Sequence, residues 1–315
     1  MFSIPFELDR SIVVNKPVAE VFTTLGDFNN WNIWSPWIIQ EPSCSTSATG
    51  DPVSIGHQQE WNGNRIGSGK MVLIEKTENQ RLAYDLFFIS PWKSHSKTQF
   101  ELTPVTDAEG NETTKITWLM QGTLPIFLFF MKKMMSVFVG GDYERGLKMF
   151  KEYVETGKVT SAVTINDAEQ QDGFYYIGYQ SSCHMSEIPN VFGPLFQKLQ
   201  QSDIPKPDKM LTLVNKVDLA TKQADMIAAV SYKEKPDFTL PNGMLEGEMP
   251  VHTAQSVTHT GSYTHLANGW ATIMNYLRFA KLKQNKKLKE YEVYVNNPQE
   301  TQPEDLKTQI YIPIK

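Results

Sequence analysis

The sequence predicts an α+β protein of two domains, both built on antiparallel sheet, and three observations carry that reading. In the first half, runs rich in β-branched and aromatic residues follow one another with turn chemistry between them, and one long amphipathic segment closes the series. In the second half a strand, helix, strand, strand order occurs twice. Between the halves lies the polar stretch 156–172, which precedes a new strand pattern. A length of 315 residues, at roughly 150 per domain, also suggests two domains. We place the cut near Thr160.

The chain opens with a strand over 8–14. Pro17 to Leu25 reads as a short helix, with Asn15 as its cap and Pro17 in its first turn, where a missing N–H breaks no hydrogen bond. Trp31, Trp34 and Trp37 stand three residues apart, but Ser35-Pro36 breaks a helix there, so these rings are expected to wedge a loop against the sheet. Strands follow over 69–74, 81–89, 96–102 and 115–121, with DAEGN at 107–111 as a turn. Residues 142–155 put Tyr143, Leu147, Phe150 and Val154 on one stripe at three- and four-residue spacing, which predicts a terminal helix. The second half reads as strands at 174–181, 211–217, 226–232, 251–258, 290–295 and 308–314. Its helices fall at 187–200, interrupted by Gly193-Pro194, and at 263–281, with Leu266, Trp270, Ile273 and Leu277 on one stripe. Such a duplication leaves a groove between its two halves.

Composition narrows the function. Thirty basic and 35 acidic residues give a net charge of −5, without the basic excess that nucleic acid requires, so no nucleic-acid partner is expected. Cys44 and Cys183 are far apart and match neither a disulfide framework nor a zinc site; a reducing, cytoplasmic location fits them, as does an N-terminus without the pattern of a signal peptide. The most apolar stretch, 124–140, is broken by Lys132-Lys133 and falls short of the ~20 apolar residues that span a bilayer, so no integral membrane segment is expected. We read it as a helix or loop over a hydrophobic core, with a segment lying on a membrane surface as the alternative.

Familiar catalytic motifs fail. NGNRIGSGKM at 62–71 suggests a phosphate loop, yet Asn64 stands where that motif needs Gly and Met71 where it needs Ser or Thr, which leaves a strand turn. There is no HExxH and no GxSxG, and the six histidines are scattered, so no metal, cofactor or catalytic residue is assigned.

The segments DRSIVVNKPVAEVFTTLGDFNNWNIWSPW at 9–37, GHQQEWNGNRIGSGKM at 56–71, TKITWLMQG at 114–122 and GLKMFKEYVE at 146–155 resemble the START-like SRPBCC superfamily, of the polyketide cyclase/dehydrase and lipid-transport type. The resemblance covers essentially the first domain, residues 1–157. It implies a helix-grip fold, a curved antiparallel sheet around a long C-terminal helix that encloses an apolar cavity. Trp61, Phe87, Phe100 and Trp118 either fill such a space or line it for a ligand.

The second domain, residues 160–315, resembles the GyrI-like domain, the effector-binding part of certain multidrug-sensing regulators. HTGSYTHLANGW at 259–270, YEVYVNNP at 291–298, LKTQIYIPI at 306–314 and PNVFGPLFQKL at 189–199 carry the likeness. It implies two pseudo-symmetric strand–helix–strand–strand units with a ligand channel between them. In that family a buried Glu in the block resembling YEVYVNNP faces the ligand, which here is Glu292. Strand alternation puts Tyr291, Val293 and Val295 on one face and Glu292, Tyr294 and Asn296 on the other. If the helices cover the Val face, Glu292 and Tyr294 point to the channel, and alternation in the last strand adds Tyr311. The competing reading leaves Glu292 solvated on an exposed strand face. Trp270 and Tyr263 are either core or channel residues. A carboxylate ringed by aromatics suits a cation, and cation–π contacts add ~0.5–2 kcal/mol. Gln309, where the family often has Glu, removes one carboxylate.

Three functions follow from these readings. The favoured one is a binding protein that captures an apolar or amphipathic, and by the resemblance cationic, small molecule for sensing, sequestration or transport, with a protein partner left open. The second is an enzyme: a hydrolase of electrophilic small compounds using the channel Glu, or a START-like cyclase or dehydratase. In the third, the first domain only modulates the second.

Overall fold

The computed structural model describes residues 3–125 and 131–315. The side chains of 123–135 lie outside the described set, and with them most of the apolar stretch that the sequence places over a core. The chain divides into two compact units, 1–160 and 161–315. The fold class is α+β in both.

The first unit is a seven-stranded antiparallel sheet with one long helix. In chain order it contains β1 (Ser3–Val14), α1 (Val18–Gly26), α2 (Trp31–Trp34), β2 (Ser45–Thr49), β3 (Gln58–Asn62), β4 (Ser68–Thr77), β5 (Arg81–Ser90), β6 (Ser94–Thr106), β7 (Glu112–Pro125) and α3 (Met131–Thr156). The sheet order β1-β7-β6-β5-β4-β3-β2 places the last strand beside the first and leaves β2 at an edge. The predicted stripe of α3 is the packed one: Tyr143, Leu147, Phe150 and Val154 are all buried against Phe100, Ile116 and Trp118.

Three local expectations need correction. Helix α1 starts at Val18 with Pro17 itself in the cap position and no side-chain cap; Asn15 instead donates its main-chain N–H to Glu155 Oε1 at 2.7 Å. The Trp31 and Trp34 pair forms a single helical turn, which Ser35 ends with extended backbone before Pro36. Strands β2 and β3, STSAT and QQEWN, carry almost no apolar residue and so gave no strand signal.

The second unit contains β8 (Ser161–Ile165), β9 (Glu169–Gln171), β10 (Phe174–His184), α4 (Ile188–Gln201), β11 (Lys209–Asp218), β12 (Gln223–Tyr232), β13 (Leu245–Met249), β14 (His252–Gly261), α5 (Ala267–Phe279), β15 (Glu290–Tyr294) and β16 (Lys307–Pro313). The order β13-β10-β12-β11-β15-β16-β14-β8 contains two mirrored triplets, β10-β12-β11 and β15-β16-β14, which meet where β11 pairs with β15. Strand β13 lies at one edge and β14 near the other, yet only Pro250 and Val251 join them. The sheet therefore curls on itself. Its inner face buries Leu211, Leu213, Met249, Tyr291, Val293 and Tyr311 together. Both helices lie outside the curl: Phe192 and Leu199 of α4 pack on Met226 and Ala228, and Ile273 and Leu277 of α5 pack on Ile310 and Ile312.

Helix α4 runs through Gly193-Pro194 without the expected interruption. A proline there removes one hydrogen bond to the carbonyl of Asn190. Pro194 and Asn190 are both exposed, so water can serve that carbonyl.

Candidate functional site

The pairing of β11 with β15 sets the floor of the site. Met210 stands opposite Tyr294, Thr212 opposite Glu292 and Val214 opposite Glu290, and cross-strand partners share a face. That face is the outer one, between α4 and α5. The condition set from sequence, helices over the Val293 face, is not met: Val293 faces the inside of the curl and the helices flank Glu292.

Glu292 is 9% exposed. One carboxylate oxygen accepts the indole N–H of Trp270, from α5. The other accepts the Tyr294 hydroxyl at 3.0 Å, and the Thr212 hydroxyl lies 2.8 Å from that of Tyr294. If the phenol donates to Glu292, Thr212 donates to the phenol, so a short donor chain ends on the carboxylate. Phe196 from α4 meets the Tyr294 ring edge-on at 5.4 Å, and Tyr263 meets it at 5.6 Å. Among the described residues no cation pairs with Glu292.

Burial pushes the Glu292 carboxyl above the usual range, although the Trp270 and Tyr294 hydrogen bonds pull it down. Burial also raises Tyr294 far above its ordinary value, with the neighbouring Glu292 charge adding to it. The same two causes push Tyr263 up to about 12. Both phenols are therefore neutral donors at physiological pH.

Four of the sequence-selected residues, Glu292, Tyr294, Trp270 and Tyr263, come together here. Tyr311 does not. Its register partner is Tyr291, on which it stacks at 4.8 Å inside the curl, opposite the Glu292 face. The expectation failed because alternation within one strand does not say how its phase matches the neighbour's; the register Tyr291 to Tyr311 does. Thr212 and Phe196 were missed. A lone hydroxyl within the apolar run LTLV was the available signal for Thr212.

In the first unit Trp118 is 1% exposed, stacks on Tyr143 at 3.9 Å and donates its N–H to Thr98 Oγ1 at 2.9 Å. It fills the core as placed. Trp61 is half-buried and lies over Gly69, where an added Cβ would come within 2.4 Å of the ring. Its other aromatic neighbour is Phe88, edge-on at 5.9 Å. His57 is buried but committed to main chain: Nε2 accepts from Phe28 N at 3.0 Å and Nδ1 faces the Thr49 and Gly50 carbonyls. That leaves no free acid–base pair with Asp27.

One arrangement in the second unit resembles a hydrolytic dyad. Ser161 Oγ lies 3.0 Å from His259 Nε2 and accepts from Asn268 Nδ2 at 3.0 Å. Burial, with a smaller contribution from His265, lowers His259 to about 4, and no hydrogen bond engages its Nδ1. Among the described residues no carboxylate orients the ring, and its burial disfavours the protonated form, so the arrangement lacks the third group of a Ser-His-Asp triad.

Comparison with known proteins agrees with this architecture. Residues 5–155 match the family model for polyketide cyclase/dehydrase and lipid transport, and residues 167–315 match that of the GyrI-like small molecule binding domain. The chain is thus a START-like domain followed by a GyrI-like one, and these are small-molecule-binding domains. No curated protein matches it. Among solved structures, EcmrR in its DNA complex shares 14% identity over 60% of this chain and 69% of its own, with a TM-score of 0.40. SAV2435 bound to tetraphenylphosphonium shares 14% over 48% of this chain and 94% of its own, with a TM-score of 0.37. A protein from Nitrosospira multiformis shares 22% over 48% of this chain and 97% of its own, with a TM-score of 0.35.

Proposed function

We propose that the GyrI-like domain binds a small cationic amphiphile between α4 and α5, with Glu292 as counter-ion and Trp270, Tyr263 and Tyr294 supplying aromatic surface. One observation carries this: a carboxylate 9% exposed, held by an indole and a phenol donor, with no cation beside it among the described residues. A charge kept out of water without a partner is costly, and a positive ligand removes that cost. An anion would meet repulsion at the same point. Sensing, sequestration and transport are all served by such binding.

The test compares benzyltrimethylammonium, benzyl alcohol and benzoate by thermal shift, on wild type and Glu292→Gln. A ligand at a hundred times its Kd stabilises the folded state by about 2.7 kcal/mol. The cation alone should stabilise wild type, and its affinity for Glu292→Gln should fall roughly tenfold or more, the loss of a charge-assisted contact. Equal stabilisation of both proteins by the cation would remove Glu292 from the site.

A second reading, hydrolysis of an electrophilic small molecule, is favoured by Tyr294 at hydrogen-bond distance from Glu292, since a raised carboxyl beside a phenol suits acid–base work. Mass spectrometry of the recovered ligand separates the two. A chemically altered compound selects the hydrolase, an unchanged one the receptor.

A further inference from the structure

We propose that the tip of the β5–β6 hairpin docks the first unit on an anionic lipid surface. From Leu86 to Lys97 the chain reads LFFISPWKSHSK, with Leu86, Phe87, Phe88, Ile89 and Trp92 against Lys93, His95 and Lys97, and no acidic residue. Strand β5 ends at Ser90 and β6 begins at Ser94, so Pro91, Trp92 and Lys93 form the connection itself. Trp92 is 70% exposed and Ile89 56%. Neither Trp92 nor Ile89 serves the core, whose members in β5 are Leu82 and Tyr84 at the other end of the strand, with the half-buried Leu86 packed against them.

Behind the tip the charges favour a negative partner. Lys70 Nζ lies 5.5 Å over the Phe87 ring, and His95 stacks on that same ring at 4.6 Å. The neighbouring carboxylate, Asp85, is bound by His95 Nε2 at 3.0 Å. The tip is thus an apolar and basic spot on a chain of net charge −5. A second copy docked tip to tip would set these lysines against their own equivalents, like charge against like, whereas anionic headgroups complement them. A Trp ring beside lysine suits the headgroup level, where its apolar face and its N–H are both satisfied. No helix among the described residues is long and apolar enough to cross a membrane, so the contact would be peripheral.

The full chain is sedimented with vesicles of phosphatidylcholine, with and without phosphatidylserine, as wild type, Trp92→Ala and Lys93→Glu. Wild type should partition onto the phosphatidylserine vesicles, and each substitution should lower that partition about tenfold, a difference of ~1.4 kcal/mol. Trp92 touches little of the fold, so an unchanged melting temperature in both variants shows that the loss is one of docking. Wild type staying in the supernatant with both vesicle types overturns the proposal, as does Trp92→Ala sedimenting like wild type. Self-association by sedimentation velocity that disappears in Trp92→Ala also overturns it, because the tip would then be an interface between copies.

Discussion

Glu292 shows what a single residue does when burial and hydrogen bonding oppose each other. Desolvation is the larger effect and raises the carboxyl, while the Trp270 and Tyr294 donors recover only part of the cost. A carboxyl raised in the fold stabilises the folded state fully below its unfolded value of ~4.3, and that stability is lost as pH rises through the folded value. Glu292→Gln removes the titration. The variant should therefore match or fall below wild type in acid and become the more stable protein at neutral pH, as followed by urea melts across that range. A stability difference that does not change with pH would mean that the carboxylate is already compensated in the fold. Much of this residue's setting was legible, since strand alternation alone puts Glu292 and Tyr294 on one face. What the pattern lacked was the helix side: Trp270 sits on the same stripe as Ile273, and only its neighbours show that its N–H turns to the strand while Ile273 fills the core.

At the scale of elements, the turn between β3 and β4 shows how a motif can look like one thing and serve another. The main-chain N–H groups of Asn64, Arg65 and Ile66 do converge on an anion, but the anion is the buried carboxylate of Glu41, at 2.9, 2.9 and 3.0 Å. Gly67 supplies the positive φ of +73° that closes the loop, and an added Cβ at Gly63 would lie 2.6 Å from the Glu41 oxygen. A turn was expected there; its ligand was not, because Glu41 stands over twenty residues away. Glu41→Ala leaves three donors without their acceptor and should cost about 2–4 kcal/mol. The check is a denaturant titration of the first unit's unfolding, and an unchanged midpoint would mean that water replaces the carboxylate without loss. Polar strands such as β2 and β3 were invisible for a related reason. They are held by ladder hydrogen bonds at and beside the sheet edge, so their sequence carries too few apolar side chains for alternation to register.

At the scale of the whole chain, each sheet lies within its own unit and each unit buries its own core, and among the described residues no strand is shared between them. The polar stretch after α3 announced a break, and the structure supplies a local reason for its position: Glu152 in the last turns of α3 accepts from the Thr160 main-chain N–H at 2.9 Å, and the next strand begins at Ser161. Hydrophobic burial and backbone pairing, the two largest contributions to folding, are thus complete on either side of that residue. Residues 1–160 and 161–315 expressed separately should each melt cooperatively. Benzyltrimethylammonium should raise the transition of the second piece alone, and phosphatidylserine vesicles should retain the first piece alone. The full chain should then show two transitions of which the cation moves only one. If the second piece melts cooperatively yet no longer responds to the cation that stabilises the full chain, the site needs the first domain, and the reading in which that domain modulates the GyrI-like one gains over independent binding.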